Sequence, residues 1–382
     1  MPRKVRYGII GCGMMGQEHL RNISLLGDTE VAAIFEPDQV MRAGAARLAP
    51  EAALSDTIDE LLARDDLDAL VIASPNQHHL SQMEAIAATR SLPLLVEKPL
   101  FTDPSDMARI ARLERDYAAP IWVAMEYRYM PPIAAFLARC DQTTGGMHML
   151  SIREHRFPFL PKVGAWNRFN RNSGGTMVEK CCHFFDLMRL ATGAEPVRIM
   201  ASAGQAVNHL DERYDGSVPD VWDHGFTIVE FDNGVRAMLE LCMFAEGARY
   251  QEEISAIGPQ GKIEALVPGP GRFWPEHLGA APVPMLIESP RLPKGPVTRE
   301  IPVDPALLAA GDHNGATFYQ HQRFLSVVRG EAVPEVTLTD GARAVLMGLA
   351  AQQSARSGQA VTLDFGPHAS ASEMPLTAGA AQ

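Results

Sequence analysis

The chain has 382 residues, 46% of them hydrophobic and 21% charged, which is typical of a globular protein and long enough to predict two domains. Its net charge of −12 argues against nucleic acid or an anionic membrane surface as a partner. Five cysteines without a CxxC pair suggest neither a disulfide framework nor a zinc ribbon, and neither a signal peptide nor a membrane-spanning run is apparent, so we expect a cytoplasmic protein.

The first predicted strand leads into a glycine-rich turn. Residues 5–16 read VRYGIIGCGMMG, an apolar β-type run that ends in Gly11-x-Gly13-x-x-Gly16 and is followed at once by a helical pattern. Gly11 allows the tight turn, Gly13 lets backbone N–H groups approach a pyrophosphate, and Gly16 lets the helix pack on the sheet. The turn therefore predicts a dinucleotide site. The residues between the glycines belong to it as well: Cys12, Met14 and Met15.

A second β-type run, residues 31–35, ends in Glu36. It lies about 20 residues beyond the last glycine, where an acid is expected to bind the ribose hydroxyls. A carboxylate at this position repels a 2′-phosphate, and no arginine follows it directly. The sequence therefore predicts NAD rather than NADP as the cofactor.

Strands and helices alternate through the first third of the chain. This βαβ order predicts a doubly wound parallel sheet, a Rossmann domain over residues 1–125. Ligands of such sheets bind beyond the carboxyl ends of the strands, so the turns Ser74-Pro75-Asn76 and Glu97-Lys98-Pro99 are expected to line the cofactor crevice. The predicted strands are 5–10, 31–35, 69–74, 93–97 and 120–125, and the helices between them include 38–48 and 104–117.

The pattern changes after residue 126. Long strand-like runs, with a hairpin signal at Asp232-Asn233-Gly234, predict a large open, mostly antiparallel sheet in an α/β domain over residues 126–365. Residues 268–296 contain eight prolines and are expected to form an irregular surface excursion. Helical patterns return at 314–329 and 340–357, and residues 366–382 are expected to be a loose tail. The predicted strands are 147–157, 196–206, 225–231, 235–244, 250–257 and 262–267.

One helix of this second domain carries candidate catalytic residues. Glu179, His183 and Asp186 recur at helical spacing on one stripe of an apolar segment, 176–192. A histidine with a carboxylate one turn away is a candidate general base, although a histidine on a helix is also often a structural residue. A metal at Cys181-Cys182-His183 is disfavoured because consecutive residues point to different sides of a helix. Lys98 is either a substrate-binding lysine or a solvated one.

Several motifs together resemble the glucose–fructose oxidoreductase / inositol dehydrogenase family. They are GCGMMG, Ser74-Pro75-Asn76 followed by His79, Glu97-Lys98-Pro99, and the Gly174-Gly175…Glu179…His183…Asp186 helix. The resemblance covers residues 4–365. It implies a Rossmann domain followed by an open-sheet α/β domain, and oxidation or reduction of a sugar or cyclitol hydroxyl with NAD(P).

The resemblance also implies roles for individual residues. Lys98 and His183 flank the substrate carbinol, and His183 is the acid/base, supported by Glu179. Glu179 stands where many members carry Asp, and Lys180-Cys181-Cys182 departs from the small residues common there. The substrate contacts implied or suggested are Lys98, Arg128, Arg156, Trp166, Arg168, His183 and His313. No metal site is predicted.

Residues 151–173, which precede this helix, carry a local positive charge. Five basic residues stand against one acid, Glu154. They suit either an anionic group on the sugar or acids across a domain or subunit interface, and Trp166 could stack on a sugar face. The basic residues are Arg153, Arg156, Lys162, Arg168 and Arg171.

Three functions remain open from the sequence. The first is an NAD-dependent dehydrogenase acting on a sugar or cyclitol. The second is an NAD-dependent glycoside hydrolase that oxidises a ring hydroxyl transiently, eliminates the aglycone and reduces the product again. The third is a non-catalytic regulator that senses a dinucleotide or a sugar. A homo-oligomer, either dimer or tetramer, is expected because an open sheet with one bare face tends to be covered by a partner.

Overall fold

The computed structural model describes residues 3–365 and the short strand Thr377–Ala378. Within these residues it contains one six-stranded and one ten-stranded sheet. The predicted loose tail, 366–382, lies outside the described residues except for that short strand.

The first sheet is parallel throughout, with the strand order β3-β2-β1-β4-β5-β6. Its central strands are apolar and buried on both faces, because helices cover both sides of a doubly wound sheet. The strands are β1 (Val5–Ile10), β2 (Thr29–Phe35), β3 (Ala53–Ser55), β4 (Ala69–Ile72), β5 (Leu94–Val96) and β6 (Ile121–Val123). The helices are α1 (Met14–Ser24), α2 (Gln39–Leu48), α3 (Ile58–Leu62), α4 (His79–Thr89) and α5 (Met107–Asp116).

The second sheet has the order β14-β13-β12-β11-β7-β10-β9-β8-β15-β16. Only the β7–β10 pair is parallel, so the sheet is mixed and mostly antiparallel, as predicted. Its strands are β7 (Met149–His155), β8 (Pro196–Gly204), β9 (His224–Phe231), β10 (Arg236–Cys242), β11 (Glu252–Gly258), β12 (Gly261–Val267), β13 (Met285–Pro290), β14 (Val297–Glu300), β15 (Val361–Thr362) and β16 (Thr377–Ala378).

Helices cover one face of this sheet, with α12 packed on β8 and α6 packed on β12. Buried and exposed residues alternate along β9, as expected for a strand with one covered face. The helices of this part of the chain are α6 (Pro131–Thr144), α7 (Asn170–Ser173), α8 (Thr176–Glu179), α9 (Cys182–Thr192), α10 (Pro305–Ala310), α11 (Ala316–Val328) and α12 (Leu338–Ser357).

Two predicted elements differ from the structure. The proline-rich segment 268–296 is not wholly irregular, because it contains β13. Pro284 immediately precedes that strand and Pro290 ends it, so no proline interrupts its interior. The single helix predicted over 176–192 is two helices, α8 and α9, separated at Lys180 and Cys181.

The opposite face of the large sheet carries exposed apolar side chains. Strand register places Met149 beside Ile257, and Phe226 and Ile228 project from β9 on the same face. These four side chains are 38–55% exposed. Homo-oligomer formation stays a prediction, and this face is where it would bury apolar surface. None of the helices in the described part of the chain has the length and apolar character needed to cross a bilayer.

Candidate active site

The glycine turn closes tightly against its neighbours. Gly11 has a φ of +88°, and a Cβ added to it would lie 2.6 Å from the backbone N and Cα of Ser74. A Cβ on Gly16 would lie 2.2 Å from the carbonyl oxygen of Gly11. A Cβ on Gly13 would meet nothing within 4 Å. The two outer glycines are therefore needed to close the turn, whereas Gly13 borders open space at the start of α1 that a pyrophosphate can enter.

Glu36 joins this turn to the end of β2. Its Oε2 accepts a hydrogen bond from the backbone N of Cys12 at 2.5 Å, and its Oε1 accepts one from the backbone N of Asp38 at 2.8 Å. The carboxylate thus lies at the cavity wall, where the ribose hydroxyls of NAD bind in this fold. Cys12 contributes its backbone N here, and its thiol is buried.

A cavity of about 460 Å³ lies over the carboxyl ends of β1, β2, β4 and β5. The residues of the predicted cofactor set that line it are Gly11, Gly13, Met14, Met15, Glu36, Ser74, Pro75, Asn76, Glu97 and Lys98. The structure adds Lys162, which the sequence analysis named only as part of the basic segment, and four residues that it missed: Asp38, Met41, Gln82 and Val163. The open glycine turn and the acid beside it fit a dinucleotide without a 2′-phosphate.

His79 was expected to bind the cofactor, but the structure does not place it in the cavity wall. Its imidazole is fully buried, and its two ring nitrogens lie 2.9 and 2.8 Å from the carbonyl oxygens of Ser74 and Pro99. It therefore links the two strand-end turns to each other. Cys12 and Gly16 likewise shape the turn without lining the cavity.

Lys98 lies where this cavity meets a second pocket of about 110 Å³ and lines both. Its Nζ donates to the backbone carbonyl of Glu179, 2.9 Å away. Burial by itself disfavours the ammonium, but the negative charges of Glu179 and Glu97 outweigh it and raise the pKa of Lys98. Lys98 therefore presents a positive charge at the junction of the two pockets.

Glu179 acts on Lys98 rather than on His183, which differs from the support for His183 expected from the sequence. The Glu179 carboxylate accepts a hydrogen bond from the Asn76 side chain and lies 3.5 Å from Nζ of Lys162. Although burial opposes ionisation, Lys98 and Lys162 lower the pKa of Glu179. The carboxylate thus links the strand-end turn at Asn76 to Lys162, while the backbone carbonyl of Glu179 holds Lys98.

His183 lines the smaller pocket and stacks on Tyr127, with ring centroids 4.1 Å apart and planes 7° from parallel. Among the described residues its Nδ1 has no hydrogen-bond partner. Burial, together with the positive charges of Lys98, Lys180 and His313, holds the pKa of His183 well below 6.5. The imidazole is therefore neutral at neutral pH and can accept a proton.

Asp186, on the same stripe as His183, pairs with Arg128. It accepts a hydrogen bond from Nε of Arg128 at 2.6 Å, in an ion pair that is almost wholly buried. Arg128 was expected to contact substrate, but it lines neither pocket and is held in this ion pair instead. Arg128 and Asp186 join the segment after β6 to α9.

This ion pair gives a stability prediction. Replacing Asp186 by Asn leaves the Arg128 guanidinium buried without its counter-charge, so we expect the free energy of unfolding to fall by about 3 kcal/mol. Urea unfolding followed by circular dichroism measures it. Asp116→Asn, which removes an exposed partner of Arg115, is the matched control and should change stability by less than about 0.5 kcal/mol. Equal effects of the two substitutions would contradict the structural role.

His313 has the opposite protonation state from His183 in the same pocket. Its Nδ1 lies 2.8 Å from Glu18 and 3.4 Å from Glu126. Burial opposes the charge, but these two carboxylates raise the pKa of His313 to about 9. Glu18, Glu126 and His313 are close enough to hold a metal ion, yet the imidazolium already supplies positive charge between the carboxylates.

Of the remaining predicted substrate contacts, two line a pocket and one does not. Arg156 lines the smaller pocket, whereas Trp166 lines the cofactor cavity, 4.5 Å below Nζ of Lys162. Arg168 is in neither wall, because its guanidinium is buried and its Nε donates to Glu212 at 2.8 Å. Arg168, which was expected to contact substrate, therefore forms an ion pair within the protein instead.

Most of the basic segment is neutralised within the chain itself. Arg153 pairs with Glu253 at 3.1 Å and Arg168 with Glu212 at 2.8 Å, whereas Arg171 stacks over the ring of Phe169. Only Arg156 and Lys162 of the five basic residues line the two pockets. The sequence analysis missed several residues of the smaller pocket: Tyr127, Lys180, Gln251 and Glu252. Of these, only Lys180 carried a sequence signal, its departure from the small residues common at that position.

A Rossmann sheet with a glycine cradle, next to a pocket that holds a lysine and a neutral histidine, defines the chain as an NAD-binding oxidoreductase. Two family models match it: "Oxidoreductase family, NAD-binding Rossmann fold" over residues 5–125 and "Oxidoreductase family, C-terminal alpha/beta domain" over residues 144–363. The chain therefore belongs to the GFO_IDH_MocA oxidoreductase family, as the resemblance implied.

A curated relative supports this assignment, and two solved structures share the fold. Inositol 2-dehydrogenase of Corynebacterium glutamicum (strain ATCC 13032) is 36% identical over 276 residues, 72% of this chain and 77% of the relative. A putative myo-inositol dehydrogenase of Sinorhizobium meliloti 1021 shares the fold at a TM-score of 0.74 and 21% identity, over 94% of this chain and 99% of that one. A levoglucosan dehydrogenase in complex with NADH shares the fold at a TM-score of 0.76 and 18% identity, over 94% of this chain and 99% of that one.

Proposed function

We propose that this protein is an NAD-dependent dehydrogenase that oxidises a secondary hydroxyl of a sugar, a sugar derivative or a cyclitol, or runs the reverse reduction. The observation that carries the proposal is the pairing of a cationic Lys98 with a neutral His183 in one pocket that adjoins the dinucleotide cavity. Relatives named inositol 2-dehydrogenase support the substrate class.

Each residue has a defined task in this proposal. The Lys98 ammonium donates a hydrogen bond to the substrate oxygen and stabilises the negative charge that develops there. Neutral His183 accepts the hydroxyl proton, and its depressed pKa keeps it ready to do so. Glu179 and Asn76 hold Lys98 in place through the contacts described above. The bound nicotinamide supplies the hydride acceptor.

The cofactor would be held by the glycine turn and by Glu36. The proposal assigns residues 1–125 to the cofactor domain and 126–365 to the substrate and oligomerisation domain. This division is supported by the two sheets, since β6 ends at Val123 and β7 begins at Met149. A cytoplasmic location stays a prediction from the sequence.

The test is an assay of the full chain with NAD at pH 7–9, across cyclitols, free sugars, uronic and sulfonated sugars and their aryl glycosides. NADH absorbance and aglycone release are followed together, and Lys98→Ala is the inactive control. We expect NADH formation that Lys98→Ala abolishes while it still binds NADH. Aglycone release that needs NAD but yields no net NADH would replace the proposal by the glycoside hydrolase. If the protein binds the cofactor but neither NADH formation nor aglycone release is detected, the regulator would be favoured.

A further inference from the structure

Three buried charged side chains from three different elements form a cluster at the smaller pocket. Glu154 on β7 and Glu252 on β11 are direct neighbours across the two strands. Lys180, from the break between α8 and α9, places its Nζ 2.7 Å from Oε1 of Glu154 and against the hydroxyl of Tyr127. All three are at most 4% exposed. Glu252 and Lys180 share the pocket wall with Lys98 and His183.

The cluster has fewer hydrogen-bond donors than carboxylate oxygens that could accept from them. Gln251 donates to Oε1 of Glu252 at 2.6 Å, but Oε2 of Glu252 and Oε2 of Glu154 have no partner among the described residues. An ionised carboxylate only accepts hydrogen bonds, and a buried acceptor without a donor is unfavourable. The group that completes this wall when a ligand binds is therefore a donor such as a hydroxyl.

Most of the positive charges around the pocket, in contrast, are already paired with carboxylates; Lys98 is the exception. Lys180 is paired with Glu154, Lys162 with Glu179, and His313 with Glu18 and Glu126. Arg156 lies 3.4 Å from Glu154, and Lys98 donates to a backbone carbonyl. Because Lys98 is assigned to the reacting hydroxyl, a negatively charged group elsewhere on the substrate would have to break one of these pairs and approach Glu252, at a cost in charge repulsion.

We propose that Glu252 is a specificity-determining residue that accepts hydrogen bonds from hydroxyl groups of an uncharged polyol, so that neutral sugars or cyclitols are preferred to their carboxylate, sulfonate or phosphate derivatives. Glu154 and Lys180 position Glu252 and balance its charge. This inference rests on the proposed dehydrogenase function. It selects a neutral substrate, against the anionic sugar that the basic segment suggested.

The ionisation of Glu252 sets the conditions of the test. Burial and the neighbouring charge of Glu154 raise the pKa of Glu252 to about 7, so the carboxylate form dominates above that pH. Measurements are therefore made at pH 8.5, with saturating NAD. The substrates are myo-inositol and glucose as neutral polyols, and glucuronate and glucose 6-phosphate as anionic ones.

In the wild type we expect kcat/KM for the better neutral polyol to exceed that for either anion at least about tenfold. Glu252→Gln keeps the shape but replaces one acceptor by a donor. It should lower kcat/KM for the neutral polyol roughly 10- to 100-fold, mainly through KM, and reduce the discrimination against anions. Glu253→Gln, the same substitution one residue on, is the matched control, since Glu253 pairs with Arg153 away from the pocket and should leave both values unchanged.

The outcomes separate this inference from the function on which it rests. Preferential turnover of an anionic derivative, abolished by Lys98→Ala, would overturn the inference and leave the dehydrogenase standing. An unchanged KM in a folded Glu252→Gln would also overturn it. No turnover of either class, with NADH bound, would overturn the dehydrogenase itself. If Glu252→Gln does not fold, Glu252→Asp decides: it keeps the carboxylate and should raise KM for the neutral polyol while the preference for neutral substrates survives.

Discussion

Replacing His183 by Asn should lower kcat/KM for the sugar or cyclitol substrate by about 10²- to 10⁴-fold, with the affinity for NADH unchanged. Burial and the positive charges of four surrounding groups keep the imidazole of His183 neutral in this pocket, so it is able to take the hydroxyl proton. Asparagine has a similar polar shape but cannot accept that proton. The loss should therefore appear in kcat rather than in cofactor binding.

The pH profile gives an independent measure of the same role. Protonated His183 is inactive, and its pKa is depressed, so kcat at saturating substrate should persist as the pH falls through 6.5 and decline only below it, whereas KM should already rise near pH 7 as Glu252 is protonated. Initial rates across pH 5–9 and NADH fluorescence titrations test both statements. His148→Asn, on the surface, is the control and should behave like the wild type. An active His183→Asn with the wild-type acid limb would assign proton transfer to another group.

The Rossmann half of the fold could be predicted because its signals are local. The glycine turn, the apolar runs and the alternation with helices each occupy short windows, and the parallel sheet follows from their order. The hairpin at Asp232-Asn233-Gly234 was equally local, and it joins β9 to β10. The strand β13 is not evident from the sequence because the proline content of segment 268–296 as a whole disfavours regular structure. Prolines at the ends of a strand do not interrupt its hydrogen bonds. That the prolines stand at the ends of β13 is evident only from its pairing with β12.

The candidate site was predictable in its members but not in their contacts. Lys98 and His183 could be identified from motifs, and the structure brings both to one pocket. The partner of Asp186 is Arg128, 58 residues earlier, and no spacing rule on one helix reveals it. The break at Lys180 also could not be read, because helical periodicity continues through it. Lys180 and Glu252 lie in one pocket wall because Lys180 pairs with Glu154, and Glu154 on β7 neighbours Glu252 on β11 in a particular register.

The glycine turn supports a second prediction with a large effect, in which two similar substitutions have different consequences. In Gly13→Ala the added methyl meets no protein atom within 4 Å, and the backbone of this residue is extended, so the protein should fold normally. The methyl does occupy space beside the N-terminus of α1 that a pyrophosphate needs. NADH affinity should therefore fall by at least about 100-fold without loss of stability.

Gly16→Ala should affect both properties. Its methyl would lie 2.2 Å from the carbonyl oxygen of Gly11, so α1 must shift away from the turn, at a cost of about 1–3 kcal/mol in stability and with a loss of NADH binding. Gly27→Ala, where the added methyl also meets nothing within 4 Å, is the neutral control. Urea unfolding and NADH fluorescence titration of the three variants separate the effects. If Gly13→Ala binds NADH with wild-type affinity, the dinucleotide does not approach this turn. The added methyl contacts no other part of the protein, so it can affect binding only by contact with the dinucleotide.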